Sequence, residues 1–306
     1  MNPGLKFCRS IWLTVTVLAV ALPVHASAKK TQLADDPLIR SGSALVMDEQ
    51  SAEVLYARES DVAVPIASIS KLMTTMVVLE ANQAQDEIIK ITEDDMDYEK
   101  YTRSRLKVGS KLSRDDLLHL ALMSSENRAA HALARNYPGG VVECVKAMNL
   151  KATQLGMTHT HFVEPTGLSS YNVASPEDLS KLVMEASKHK VISEYSTDEY
   201  HTLKVGRQAM TFHNTDLLVK KSDWNIIVQK TGYIAEAGKC LVLKTIIAGR
   251  SIVIVLLDSV GKYTRVADAR RIRKWMEARV RNSVKLASNS DPLSKAEAAF
   301  VLPASK

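Results

Sequence analysis

The sequence predicts a mixed fold of the α/β (α+β) class: an antiparallel sheet flanked by helices, with a helical subdomain set into it. Three observations predict it. A β-hairpin pattern lies near the start, apolar residues at helical spacing fill the middle, and three short β-rich runs followed by a helix come last. Strand patterns at both ends around a helical middle imply one sheet assembled from the two ends of the chain, with the first and last helices packed on it. The 306 residues, 46% hydrophobic and 24% charged, suit one large domain or two small ones and exclude a disordered chain.

The elements follow in order. Lys6 and Arg9 precede an apolar run from Ile11 to Leu22, and small residues stand at Ala26 and Ala28, so residues 1–28 read as a cleaved export signal. The run is short for a membrane span, and an uncleaved anchor is the alternative. No cysteine follows it to carry a lipid. Removing Lys6 and Arg9 takes two charges from +6 and leaves +4, a mild balance that argues for no nucleic-acid partner. Cys144 and Cys240 remain for an oxidising compartment, and two buried thiols are expected rather than a bridge. There is no CxxC or HExxH, and His159 and His161 read as surface histidines, so neither a metal nor a cofactor is expected.

Residues 29–280 are expected to form the catalytic domain, with a helical insertion at about 82–160. SALVMDEQSAEVLYARE alternates apolar and polar residues around a polar break, as a hairpin does. SISKLMTTMVVLEAN has the apolar spacing of a buried helix. Ser113 and Ser175 stand where N-caps belong, the latter followed by Pro176 at the first helical position. Pro138, Gly139 and Gly140 mark a stop, and Ser124 to Asn127 lie between two helical runs. WNIIVQKTGY, KCLVLKTIIAGR and SIVIVLLDSV read as an antiparallel meander. A basic helix from about Thr264 to Val280 then presents Val266, Ala269, Ile272, Met276 and Val280 to the sheet. Its Arg and Lys residues read as a solvated face, with contact to an anionic surface as the alternative. The tail 281–306 has the composition of a disordered segment and no sustained apolar face, so at most a loose membrane association is expected.

Within PIASISKLMT, Ser68 and Lys71 stand three apart, so on a helix their side chains meet, which is what a nucleophile and its base require. A hydroxyl at a helix start also gains from the positive end of the dipole. The pattern alone is weak. Ser-x-x-Lys recurs at Ser27, Ser104, Ser187 and Ser259, and a cap hydroxyl with a solvated lysine would look the same. Only Ser68 follows Pro-x-x and opens a strongly apolar helix. Two further motifs support it. Ser125-Glu126-Asn127 places a hydroxyl and an amide at a break between helices, although Ser170-Tyr171-Asn172 has the same spacing. Lys230-Thr231-Gly232 occurs once and follows an apolar β-run. There a cation and a hydroxyl suit a carboxylate, and glycine admits another backbone.

Taken in order, these motifs resemble the penicillin-recognising serine acyltransferases, a group known by S-x-x-K, S-D-N and K-T-G, with Ser-Glu-Asn here in the middle position. PIASISKLMT, LALMSSENRAA, FVEPTGLS and VQKTGYIAEAGKCLV are similar to the low-molecular-mass D-alanyl-D-alanine peptidases, and most closely to their cross-link-cutting branch, from about Ser41 to Arg279. The resemblance implies the penicillin-binding transpeptidase/serine β-lactamase-like fold in the periplasm. It implies a serine DD-peptidase that hydrolyses D-alanyl-diaminopimelate cross-links of peptidoglycan through an acyl-enzyme and is inhibited covalently by β-lactams. By the same resemblance Ser68 is the nucleophile, Lys71 its base and Ser125 the proton relay. Asn127, Lys230, Thr231 and Gly232 bind substrate, and the backbone N–H groups of Ser68 and Tyr233 form the oxyanion hole, roughly 3 to 4 kcal/mol per donor. The resemblance further implies that the extra β-domain and C-terminal anchor of related carboxypeptidases are missing here.

Other readings stay open at this point. A D-alanyl-D-alanine carboxypeptidase would use the same motifs. A serine β-lactamase would add a deacylating glutamate between the second and third motifs, where Glu164 stands, though its segment matches the peptidases. A non-catalytic wall-binding protein would have no need of the nucleophile and base together.

Overall fold

The computed structural model describes residues 36–289; the expected export signal and the last residues of the tail lie outside them. Strands β1 (Ser43–Asp48) and β2 (Val54–Arg58) form the expected hairpin. The meander follows as β9 (Asn225–Ile234), β10 (Gly238–Ile247) and β11 (Arg250–Ser259). β1 pairs antiparallel with β11, Ser43 opposite Leu257, which closes one five-stranded sheet in the order β2-β1-β11-β10-β9. The two chain ends do supply it.

β1 is buried at all six positions rather than at alternate ones. The reason is a layer on each face. Leu45 and Met47 join the core beneath the helical lobe, whereas Ala44 and Val46 join a second core beneath the last helix. Hydrophobic residues occupy both sides of the central strands because neither side meets water.

Helix α1 (Ser70–Glu80) is preceded by a 3-10 turn at Ala67–Ile69. Short strands β3 (Val64–Pro65) and β6 (Val173–Ala174) pair beside it. The 82–160 segment holds three helices and, before them, a short strand pair. β4 (Ile88–Lys90) and β5 (Lys111–Ser113) pair antiparallel and bracket a loop from 91 to 110. Three residues per strand are too few for the helical and strand periods to differ in the sequence.

The helices there are α2 (Arg114–Met123), α3 (Asn127–Arg135) and α4 (Gly140–Gln154), then α5 (Pro176–Ala186) and α6 (Lys190–Thr197). Ser113 Oγ accepts from Asp116 N and Ser175 Oγ from Asp178 N, as capping predicts. A hairpin of β7 (Tyr200–Val205) and β8 (Gln208–His213) leads to the meander. α5 and α6 cover one face of the sheet, not α1. The first helix sits among α2, α3, α4 and α5 and meets the sheet through its 3-10 turn, which abuts β9.

The other face is covered by α7 (Thr264–Asn289). Val266, Ala269, Ile272 and Met276 are buried on it as the spacing predicts, Trp275 joins them, and Val280 is half-buried. The helix runs past the predicted end at 280, so residues 281–289 of the expected disordered tail are helical. Asn282, Ser283 and Val284 carry no Gly or Pro to stop it. Cys144 and Cys240 are both buried, unpaired thiols, as expected.

Candidate active site

Ser68 lies on the 3-10 turn rather than on the first turn of α1, two residues before the α-helix begins. Ala67 before it has φ +49°, a left-handed conformation that non-glycine residues seldom adopt. Lys71, in the first turn of α1, is fully buried, not the solvated lysine of the bland reading. Its Nζ lies 2.8 Å from Ser68 Oγ, 2.7 Å from Asn127 Oδ1 and 2.6 Å from the Thr166 carbonyl oxygen. Burial drives its pKa from 10.5 down to about 8, against the opposing pull of Glu164 and Glu126. A neutral amine has two N–H bonds and one lone pair. Asn127 and Thr166 can take the two, which leaves the lone pair facing Ser68 Oγ.

Asn127 is the first residue of α3, and its Nδ2 also donates to Thr102 Oγ1 at 2.9 Å. Ser125 stands two residues earlier, at φ +59° on the turn between α2 and α3. Its hydroxyl has no hydrogen-bond partner among the described residues, so Asn127, not Ser125, is joined to the Ser68–Lys71 pair.

Lys230, Thr231 and Gly232 lie on β9, the last strand of the sheet. Lys230 is fully buried, its Nζ donating to the Thr231 carbonyl at 3.0 Å. Desolvation, reinforced by the nearby charges of Lys71 and Arg265, holds its pKa well below that of an ordinary lysine. Thr231 Oγ1 is 2.6 Å from Thr215 Oγ1. A Cβ on Gly232 would come within 2.9 Å of the Ile66 carbonyl oxygen and 3.1 Å of Ser68 N. Only glycine lets this strand lie against the amide of Ser68. Tyr233, next along, is 59% exposed, with Lys239 Nζ 3.8 Å from its ring centre. An extended strand end beside a hydroxyl, a buried amine and the Ser68 backbone N–H is what acyl transfer from a peptide requires.

Several participants escaped the sequence reading. Gly167, at φ +81°, packs so closely that a Cβ would meet the Ala67 carbonyl oxygen at 2.0 Å. Nothing within FVEPTGLS signals this role for the glycine. Asn172, in the chance match to Ser-x-Asn, is a buried brace: its Nδ2 donates to Ser70 Oγ and its Oδ1 accepts from Val163 N. Arg265, counted with the solvated face of the last helix, donates from Nη1 to the Gly232 carbonyl at 3.0 Å. Asp216 is buried near Lys230 and Arg265, and burial raises its pKa to about 6. No local pattern signals Asn172, Arg265 or Asp216, because their partners are distant in sequence.

Glu164 does not have the surroundings of a deacylating base. Its carboxylate accepts from Thr166 N and Oγ1 and from Gly167 N, each at 2.6 Å, so it fastens its own loop. Lys100, from the 91–110 loop, forms an ion pair with Glu236 in the β9–β10 turn. His159 and His161 are exposed, as expected. Elsewhere Glu80, Glu185 and His189 converge, but Lys151 Nζ already lies 2.6 Å from Glu80 and 3.6 Å from Glu185, an ion-pair network rather than a cation site. No helix among the described residues is long and apolar enough to cross a membrane.

The family model for D-alanyl-D-alanine carboxypeptidases, Peptidase S11, matches residues 29–261. A D-alanyl-D-alanine endopeptidase of Pseudomonas aeruginosa is 45% identical over 274 residues, 88% of each chain. That of Escherichia coli K12 is 44% identical over 276 residues, 89% of each. Among solved structures, the Streptomyces K15 DD-transpeptidase superposes with a TM-score of 0.73 at 28% identity, over 78% of this chain and 98% of that one.

Proposed function

The chain belongs to the D-alanyl-D-alanine carboxypeptidase family, Peptidase S11, and from that premise we propose that it is a serine DD-peptidase of peptidoglycan acting as an endopeptidase on D-alanyl-diaminopimelate cross-links. The observation that carries the chemistry is the Lys71 amine, buried and 2.8 Å from Ser68 Oγ. Ser68 Oγ attacks the D-alanyl carbonyl while Lys71 Nζ takes its proton. The oxyanion accepts hydrogen bonds from the N–H groups of Ser68 and Tyr233. The tetrahedral intermediate collapses, the C–N bond breaks, and the proton taken by Lys71 reaches the leaving amine through Ser125, which leaves Lys71 neutral again. Water then attacks the acyl-enzyme carbonyl as Lys71 takes its proton, the ester C–O bond breaks, and that proton returns to Ser68 Oγ as the D-alanyl acid leaves.

Substrate lies along β9 as an added strand, with Asn127 on its amide. Its carboxylate rests on Lys230 and Thr231, where it supplies the counter-charge that burial withholds from Lys230. A β-lactam presents a strained amide and a carboxylate to the same groups and stays as the ester of Ser68. The work is done in the periplasm, after export on the leader.

Endopeptidase rather than carboxypeptidase action is favoured by the two relatives alike over nearly nine-tenths of the chain, both named as endopeptidases. The β-lactamase reading loses its support with Glu164, whose oxygens are engaged in its own loop. The test incubates the mature enzyme with DD-cross-linked dimers and with free pentapeptides and compares kcat/KM. Dimers should be the better substrate, and faster release of D-alanine from pentapeptide would make this a carboxypeptidase. Labelling by fluorescent penicillin, abolished in Ser68→Ala, identifies the nucleophile; labelling that survives there would refute it.

A further inference from the structure

Beyond the carboxylate-holding strand lies a groove of ≈ 570 Å³ that the chemistry above does not use. Leu217, Tyr263, Val266 and Ala267 are its apolar lining, and Lys220, Lys221, Arg270 and Lys274 stand exposed around it, with no acidic side chain among its lining residues. Neighbouring cations are neutralised: Arg271 pairs with Asp268 at 2.6 Å and Arg273 with Asp223 at 2.9 Å. Among the described residues, the side chains of the four groove cations have no such partner. Four like charges around one concavity repel each other and focus a positive potential into it.

The two walls of the groove begin at the catalytic strand. One is the loop that carries Thr215, bonded to Thr231, and runs on through Leu217 to Lys221. The other is α7, whose Arg265 holds the Gly232 carbonyl about one and a half turns before Arg270 and two and a half before Lys274. At a rise of about 1.5 Å per residue, those two cations lie about 8 and 14 Å along the helix from Arg265. An extended peptide covers that distance in about two to four residues.

We infer that this groove seats the second stem of a cross-linked substrate, an acidic peptide leaving from the far side of the scissile bond. The inference rests on the endopeptidase reading, since a carboxypeptidase releases a single amino acid with nothing to reach the groove. A cross-linked leaving group continues past its first carboxylate, held by Lys230 and Thr231, into a peptide with further free carboxylates. Those carboxylates meet the unpaired cations. The volume lies within the range of discrete ligand sites, about 300 to 1,000 Å³. A bilayer surface fits less well, because it favours an apolar face turned outward between cations, whereas here the cations rim a concavity.

The test replaces Lys220, Lys221, Arg270 and Lys274 together by Gln. Measured are kcat and KM on DD-cross-linked dimers at two salt concentrations, penicillin acylation, and binding to phosphatidylglycerol vesicles. KM for the dimer should rise about tenfold with kcat nearly unchanged, and its dependence on salt should flatten. Acylation by penicillin, which has no second stem, should proceed at the wild-type rate. A quadruple variant that splits dimers with the wild-type KM overturns the inference, and loss of vesicle binding beside that unchanged KM assigns the groove to lipid. Failure of the endopeptidase reading is a different result, seen in the wild type: acylation by penicillin with D-alanine released from pentapeptide faster than dimers are split. That result removes this inference with it.

Discussion

The burial of Lys71 sets the pH at which the enzyme can be acylated. With an ordinary pKa of 10.5, about one lysine in three thousand would be neutral at pH 7; at about 8, roughly one in ten is. Placing the amine at the bottom of the site therefore raises the population of competent base about 300-fold, for about 3 kcal/mol of disfavoured charge. The sign is fixed by the role. Only the neutral amine accepts the Ser68 proton, so acylation must rise with pH through about 8 and level off above it. Between pH 6 and pH 8 the second-order rate constant for a fluorescent penicillin should climb about fiftyfold, most of one decade falling in the first unit. Lys71→Arg should be acylated negligibly across the range, because a guanidinium stays charged. A rate that is flat from pH 6 to pH 8, or a Lys71→Arg variant acylated at the wild-type rate, would refute the assignment of Lys71 as base.

Three further outcomes follow from contacts described above. Gly232→Ala should slow acylation about a hundredfold, the scale of losing one oxyanion donor, because the new Cβ presses on Ser68 N; a wild-type rate would show that the strand does not set the position of that amide. Asp95 is buried, and although burial opposes its charge, the hydrogen bonds from His131, Arg135 and Thr92 bring its carboxyl to about 2. The depressed pKa contributes about 2 kcal/mol that is present above pH 4 and lost as pH falls through 2, so denaturant unfolding should show Asp95→Asn weaker at pH 7 and nearly equal to wild type at pH 2. The melting temperature should not respond to reductant, and thiol reagents should modify Cys144 and Cys240 only on unfolding, since burial lifts their thiols to about 12 and about 11.

Signals that are local in the chain were legible in the sequence. The hairpin, the capped helices and the meander each carry their period and punctuation within a dozen residues, and Ser68 with Lys71 lies inside one turn. The order of the three motifs indicated that they meet. What stayed hidden depends on contacts between distant segments. Nothing around Arg265 shows that it leaves the solvated face for the Gly232 carbonyl, and nothing before Gly167 shows that Ala67 will press on it. The 3-10 turn beneath Ser68 was missed because its residues also suit a helix start, and its left-handed Ala67 is imposed by the segments packed around it. Tertiary packing overrides propensity there.

Closing the sheet with the first and last strands has a consequence for how the enzyme comes to life. Ser68 and Lys71 are made early, but the strand that lies against the Ser68 amide begins at Asn225, and β1, already paired with β2, finds its second partner only at Arg250–Ser259. Contacts of such sequence separation form late and slowly. Until they form, the Ser68 amide has no strand packed against it and Lys230, Thr231 and Gly232 are not in place to hold a substrate. The topology thus keeps an incomplete chain latent until its last strands have paired. A chain ending before Asn225 should carry both residues and still take up no penicillin.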